Sequence, residues 1–160
     1  MLKLESTQFI QIKIDNKAIS GTCKEKDYLN WIEGNVSSSF SSALGHDGAE
    51  FDSIHMMLRV SSDTKDLFEK YLLRGEKGID ITIVHRGSDK IKQSYEVQKT
   101  ECKDCRIDYL NFEITEYLVM NIIFKCMKTI GVTFLVENSA GTGHDKIGPI
   151  TYDMQQKTLI

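Results

Sequence analysis

The chain has 160 residues, of which 41% are apolar and 27% charged, and a formal net charge of -3. That length buries one core and is short for two ordinary domains, so residues 1–160 read as a single domain; the composition excludes disordered, collagen-like and membrane-embedded chains. The slightly acidic balance offers no basic field to a phosphate backbone, so nucleic acid is not an expected partner.

The opening decapeptide MLKLESTQFI carries Lys3 and Glu5 where a signal peptide needs an apolar centre. The expectation is synthesis in the cytoplasm without a secretory leader. The first periodic segment is Phe9 to Asp15, where Ile10, Ile12 and Ile14 share one face against Gln11 and Lys13, the alternation of a strand. Asp15-Asn16 is a turn-forming pair. Tyr28, Leu29, Trp31 and Ile32 predict a second short strand that ends at Gly34. From Ser37 to Gly48 the chain is rich in serine and glycine, with Phe40 and Leu44 as apolar anchors, and reads as a long loop or an exposed hairpin. It is either a solvent segment or an arm that reaches a neighbouring subunit.

Phe51 to Val60 alternates again, with Ile54, Met56, Leu58 and Val60 on one face. Ser61-Ser62-Asp63 then offers N-cap oxygens, and Leu67, Phe68, Tyr71 and Leu72 recur at helical spacing before Gly75. One helix, about Thr64 to Arg74, is predicted, its apolar stripe facing the core. Ile79, Ile81 and Ile83 give a further strand, and Gly87-Ser88-Asp89 predicts a hairpin turn into a strand from Ile91 to Arg106. Glu116 to Met127 is a long strand with Leu118, Met120, Ile122, Phe124 and Cys126 on one face. The apolar stretch Leu118 to Phe124 is interrupted by Asn121 and closed by Lys125, too short to span a bilayer. Glu137 to Pro149 reads as a glycine-rich loop, and Thr151 to Ile160 as a closing strand. The fold class expected is mainly β: a compact barrel or sandwich of two sheets with one short α-helix.

Chemistry is sparse. Cys102-Lys103-Asp104-Cys105 is a CxxC that could serve thiol exchange or half of a zinc site, but residues three apart on a strand face opposite ways. The expectation is one buried and one edge cysteine, and reduced, buried thiols at Cys23 and Cys126 as well. His46, His55, His85 and His144 fall in no metal spacing, no nucleophile motif appears, and Gly141 to Lys146 lacks the GxxxxGK(S/T) spacing and following helix of a phosphate loop. No enzyme activity, catalytic residue, cofactor or metal is expected.

Taken in order, the segments resemble the Hcp (hemolysin-coregulated protein) family of type VI secretion tube proteins over nearly the whole chain. Phe9 to Asp15 looks like its first strand, and Tyr28-Leu29-Asn30-Trp31 like the aromatic strand before its extended loop. Phe51 to Val60 with the helix from Asp63 to Gly75 is similar to its strand and central helix. Ile79 to Arg86 and Ile91 to Arg106 take the place of its hairpin, Leu118 to Ile130 of its long strand, and Gly148 to Asp153 of its closing strand. The chain departs from the family at Thr64-Lys65, where a Ser/Thr-Pro pair is frequent, and over Asp104 to Glu116. The resemblance implies a structural subunit that forms homohexameric rings, stacked into a hollow tube that shelters effectors. Implied partners are further copies, sheath, spike and effector proteins, and implied export is through the secretion machine without a signal peptide. It also implies a ring-stacking role for Ser39, Phe40, Leu44, His46 and Asp47. The alternatives are a tail-tube subunit of a phage or other contractile particle, a monomeric ligand-binding barrel, and a CxxC redox or zinc protein.

Overall fold

The computed structural model describes residues 8–36, 42–73, 78–88, 94–141 and 143–160. In chain order the strands are β1 (Gln8–Ile14), β2 (Lys17–Ala18), β3 (Gly34–Val36), β4 (Ser42–Gly45), β5 (Gly48–Phe51) and β6 (Ile54–Arg59). The helix α1 (Lys65–Leu72) follows, then β7 (Ile79–Ser88), β8 (Ser94–Cys102), β9 (Cys105–Ile114), β10 (Leu118–Cys126), β11 (Thr129–Glu137), β12 (His144–Asp153) and β13 (Thr158–Leu159).

They form a seven-stranded sheet in the order β13-β12-β11-β8-β7-β1-β2, a four-stranded sheet β3-β6-β10-β9, and a separate ribbon β4-β5. Every pairing is antiparallel. The core lies between the two larger sheets. Ile10 and Ile12 of β1, Ile79, Ile81 and Ile83 of β7 and Ile130 of β11 meet Met56 and Leu58 of β6 and Met120, Ile122 and Phe124 of β10. Each such side chain, fully buried, contributes about 1.5–3 kcal/mol. The sheets also touch at one side through an isolated bridge between Ile10 and Ile32. Among the described residues no ladder closes them into a barrel.

The strict alternators fold as their pattern demands. β6 is buried at Ile54, Met56 and Leu58 and exposed at His55, Met57 and Arg59. The turn after β1 uses Asp15 and Asn16 at φ 50° and 69°, the left-handed pair that suits a right-twisted hairpin. At the helix start, the Thr64 side chain acts where Asp63 was expected to cap. Its Oγ1 accepts from the Ser61 amide and donates to the Ser61 carbonyl, both at 2.9 Å, closing the turn that leads in. Leu67 is buried in the core, Phe68 packs edge-on against Phe112 of β9, and Leu72 is exposed, so the predicted core stripe is only partly core. Gly75 and Arg74, the expected helix end, lie outside the described residues.

Four further expectations are corrected. Tyr28 to Ile32 is no strand: Lys26–Tyr28 is a 3-10 turn, because Tyr28 lies flat on the Phe9 ring, 4.0 Å away, and Asn30 takes φ 65°. Gly87 and Ser88 continue β7 and are not the turn, while Asp89 and Ile91 lie outside the described residues. The strand predicted from Ile91 to Arg106 is broken at Lys103-Asp104, so β8 belongs to one sheet and β9 to the other. Glu137 to Pro149 is largely not a loop, since β12 already begins at His144. There Gly148 and Pro149 oppose the single residue Thr133, a bulge that accepts the proline, and Gly148 at φ 96° has Val132 O only 2.7 Å from where a Cβ would stand.

Candidate assembly surface

Three exposed features protrude from the double sheet. The first is the β4–β5 ribbon, paired Ser42 to Phe51 through Gly45 to Gly48, with His46 and Asp47 at its turn. Leu44 is 89% exposed on it. The ribbon is anchored at two points: Phe51 packs on Tyr152 with ring centroids 5.6 Å apart, and Lys157 Nζ lies 3.4 Å from Asp47 Oδ2. Of the five predicted residues, Leu44, His46 and Asp47 thus share one protruding ribbon, and Ser39 and Phe40 lie outside the described residues.

The second is the far part of the β11–β12 hairpin. Its root is buried at Ile130 and Val132, but Ile150 opposite Val132 is exposed, as are Val136 and Ile147 beyond the bulge. β13 pairs only with Tyr152 and Asp153, which leaves the rest of β12 as an open strand edge in this sheet. The third is the tip of β9–β10, where Ile114 faces Leu118 across the pair and both are exposed beside Tyr117. Arg59 sits over the Tyr117 ring at 3.8 Å and pairs with Glu33 at 3.6 Å, which fixes that tip to β6. β9 is itself the end strand of its sheet. Long end strands with apolar side chains invite pairing with another chain.

Neighbouring surface is different in kind. On the outer face of the four-stranded sheet, Asn121 donates to Asn111 and Asn111 to the Tyr109 hydroxyl, each at 2.8 Å. That ladder suits water. A shallow cavity of about 350 Å³ between α1 and the β1–β2 turn is lined by Lys17 and Lys70 together with Asp63, Asp66 and Glu69. Its charges are mixed, and Lys70 is already 3.5 Å from Asp15. Among the described residues no group of three or more His, Cys, Asp or Glu side chains could hold a metal ion, and no helix is long and apolar enough to cross a membrane.

No protein-family model matches the chain, and no curated protein matches it in sequence. Solved structures match it in fold over nearly its entire length. A type six secretion system protein superimposes at a TM-score of 0.73, covering 95% of this chain and 99% of its own at 12% identity. This chain has the Hcp fold. Hcp1 from Salmonella typhimurium gives 0.67 over 97% and 100% at 18% identity, and the secreted protein Hcp3 from Pseudomonas aeruginosa 0.61 over 91% and 98% at 12% identity. At these identities the likeness is one of fold. Asp104 to Glu116, where the chain departs from the resemblance, supplies β9. The exposed β11–β12 hairpin escaped sequence reading because Gly141, Gly143, Gly148 and Pro149 mimic a loop; the signal available was the apolar pair Ile147 and Ile150 within it.

Proposed function

We propose that this chain is a structural, non-enzymatic subunit of the inner tube of a type VI secretion system, six copies closing a ring and rings stacking into a hollow tube that carries effectors. The observation that carries this reading is an Hcp fold over nearly the whole chain, with exposed apolar residues on the β4–β5 ribbon, the β11–β12 hairpin and the β9–β10 tip. Ring closure needs two different patches that meet head to tail. The exposed β11–β12 hairpin and the β9–β10 tip, at end strands of different sheets, provide such a pair. The β4–β5 ribbon, carrying Leu44, His46 and Asp47, is assigned to contact between stacked rings. Sheath, spike and effector proteins are the further partners, and export proceeds from the cytoplasm through the machine itself.

Negative-stain electron microscopy of the purified protein tests the proposal. Rings with six-fold symmetry are expected, and a homogeneous monomer at high concentration would overturn it. Deleting residues 43–48 should leave rings intact while shortening or abolishing stacked tubes in the same images; unchanged tubes would remove the ribbon from the stacking contact.

A further inference from the structure

The break between β8 and β9 gathers sulfur atoms that the sequence holds far apart. Asp104, at φ 50°, turns the chain between Cys102 and Cys105, so both thiols face the core, and the expectation of one buried and one edge cysteine is wrong. Cys126 then arrives from β10 as the direct cross-strand partner of Cys105. The adjoining pair, Asp104 and Met127, is hydrogen-bonded, the Met127 amide donating to the Asp104 carbonyl at 3.2 Å. Residues directly opposite each other on an antiparallel pair have side chains on one face and Cα atoms ~4.5–5.5 Å apart, whichever kind of pair they form. That lies within the ~4.4–6.8 Å range a disulfide spans. Cys102 completes the group, buried in the same core cluster as Cys105 and Cys126.

We infer that Cys102, Cys105 and Cys126 form an oxidation site that takes a peroxide and closes an intrachain cystine between Cys105 and Cys126. The inference stands on the sulfur geometry of one chain and is independent of ring assembly. Cys126 is the sulfur that reacts first. It is 6% exposed, against 0% for Cys105 and 1% for Cys102, so a water-sized oxidant reaches it most directly. Hydrogen bonds from Cys102 and then Cys105 favour loss of its proton, whereas the bonds Cys105 shares with Cys102 and Cys126, together with burial, hold Cys105 in the thiol form. On losing that proton Cys126 gives up the bonds its thiol donates to the carbonyls of Thr129, at 2.9 Å, and Lys103, at 3.4 Å.

The Cys126 sulfur attacks one oxygen of hydrogen peroxide; the O–O bond breaks, an S–O bond forms, and the departing hydroxide takes a proton to become water. The Cys105 sulfur then attacks the Cys126 sulfenic acid, an S–S bond replaces the S–O bond, and hydroxide leaves with the Cys105 proton as a second water. Two thiols lose two electrons and two protons, and the peroxide is reduced to two waters. Cys102, in the same cluster, is a spare thiol. Cys23 is buried apart from the group, in an aromatic cluster, and serves as the internal control.

The test treats the folded full chain with hydrogen peroxide, blocks remaining thiols with N-ethylmaleimide after unfolding, and maps tryptic peptides by mass spectrometry. Lys103, Arg106, Lys125 and Lys128 let trypsin place each of the three cysteines on its own peptide. The expected product is the Cys105 peptide joined to the Cys126 peptide, with the mass of two hydrogens lost from the chain and Cys23 and Cys102 alkylated. Cys102→Ala should keep this product and Cys126→Ala should lose it. Thiols that stay reduced in folded protein, a Cys102–Cys105 bond in its place, or cross-links only between chains would each overturn the assignment. The wild-type map decides the matter even if a variant fails to fold.

Discussion

Both halves of the seven-stranded sheet carry apolar residues, yet only one half has its outer face covered. Over β1 and β7 the segment between β2 and β3 folds back, so that Tyr28 stacks on Phe9, Trp31 meets Tyr28 edge-on, and Cys23 and Val84 complete a second small core. Arg86 reaches over both the Phe9 and Tyr28 rings and pairs with Glu25, sealing the rim. Nothing comparable covers the exposed end of β11 and β12 among the described residues, where Val136, Ile147 and Ile150 are left accessible. One chain thus finishes one half of the sheet and leaves the other half for something else to finish. An assembling subunit requires that asymmetry, because the covered half must hold the fold before any neighbour arrives.

Substitutions on the two halves should therefore differ in what they damage. Phe9→Ala, in the covered half, removes a side chain that is 2% exposed and should cost about 3–5 kcal/mol, measured as a lower urea midpoint. Tyr28→Phe should cost less, about 1–3 kcal/mol, because the Tyr28 hydroxyl donates to Glu96 Oε1 at 2.5 Å and the carboxylate would be left unpaired. Burial and that bond push the Tyr28 phenol above its ordinary range. The unfolded phenol therefore gives up its proton first: the stabilisation is complete below about pH 10 and declines as pH rises past it. The difference in stability between wild type and Tyr28→Phe should shrink over that alkaline range, and a constant difference would contradict the coupling. The smallest effect on the isolated chain belongs to the exposed half: Ile147→Ser with Ile150→Ser should shift monomer stability by no more than ~1 kcal/mol, about half of it from each substitution. The same double variant should abolish rings in sedimentation velocity. A large loss of monomer stability would mean the two residues serve the chain's own core.

The strands with one face on the continuous core were the legible ones. β1, β6, β7 and β10 each alternate with period two because one face meets a continuous core, and that periodicity survives in the sequence as Ile10-Ile12, Met56-Leu58, Ile79-Ile81-Ile83 and Met120-Ile122-Phe124. β12 does not alternate, since both its faces are accessible and a bulge at Gly148-Pro149 shifts its register. The aromatic run Tyr28 to Ile32 was misread as a strand because Phe9 recruits Tyr28 across the sheet, a contact no local pattern encodes. Leu44, His46 and Asp47 were legible as an exposed segment from the serine and glycine around them, whereas their tie to Lys157 depends on the chain returning through β12 and β13. The same holds for sulfur. The CxxC was visible, but the turn at Asp104 and the third thiol at Cys126 come from backbone handedness and cross-strand register.

Hydrogen–deuterium exchange, compared between assembled rings and dilute single chains, measures the asymmetry directly. The account predicts slower exchange on assembly at residues 145–150 of β12 and at the β9–β10 tip, with residues 8–14 of β1 unchanged because their covering is already in place. Equal protection of β12 in rings and single chains would contradict it.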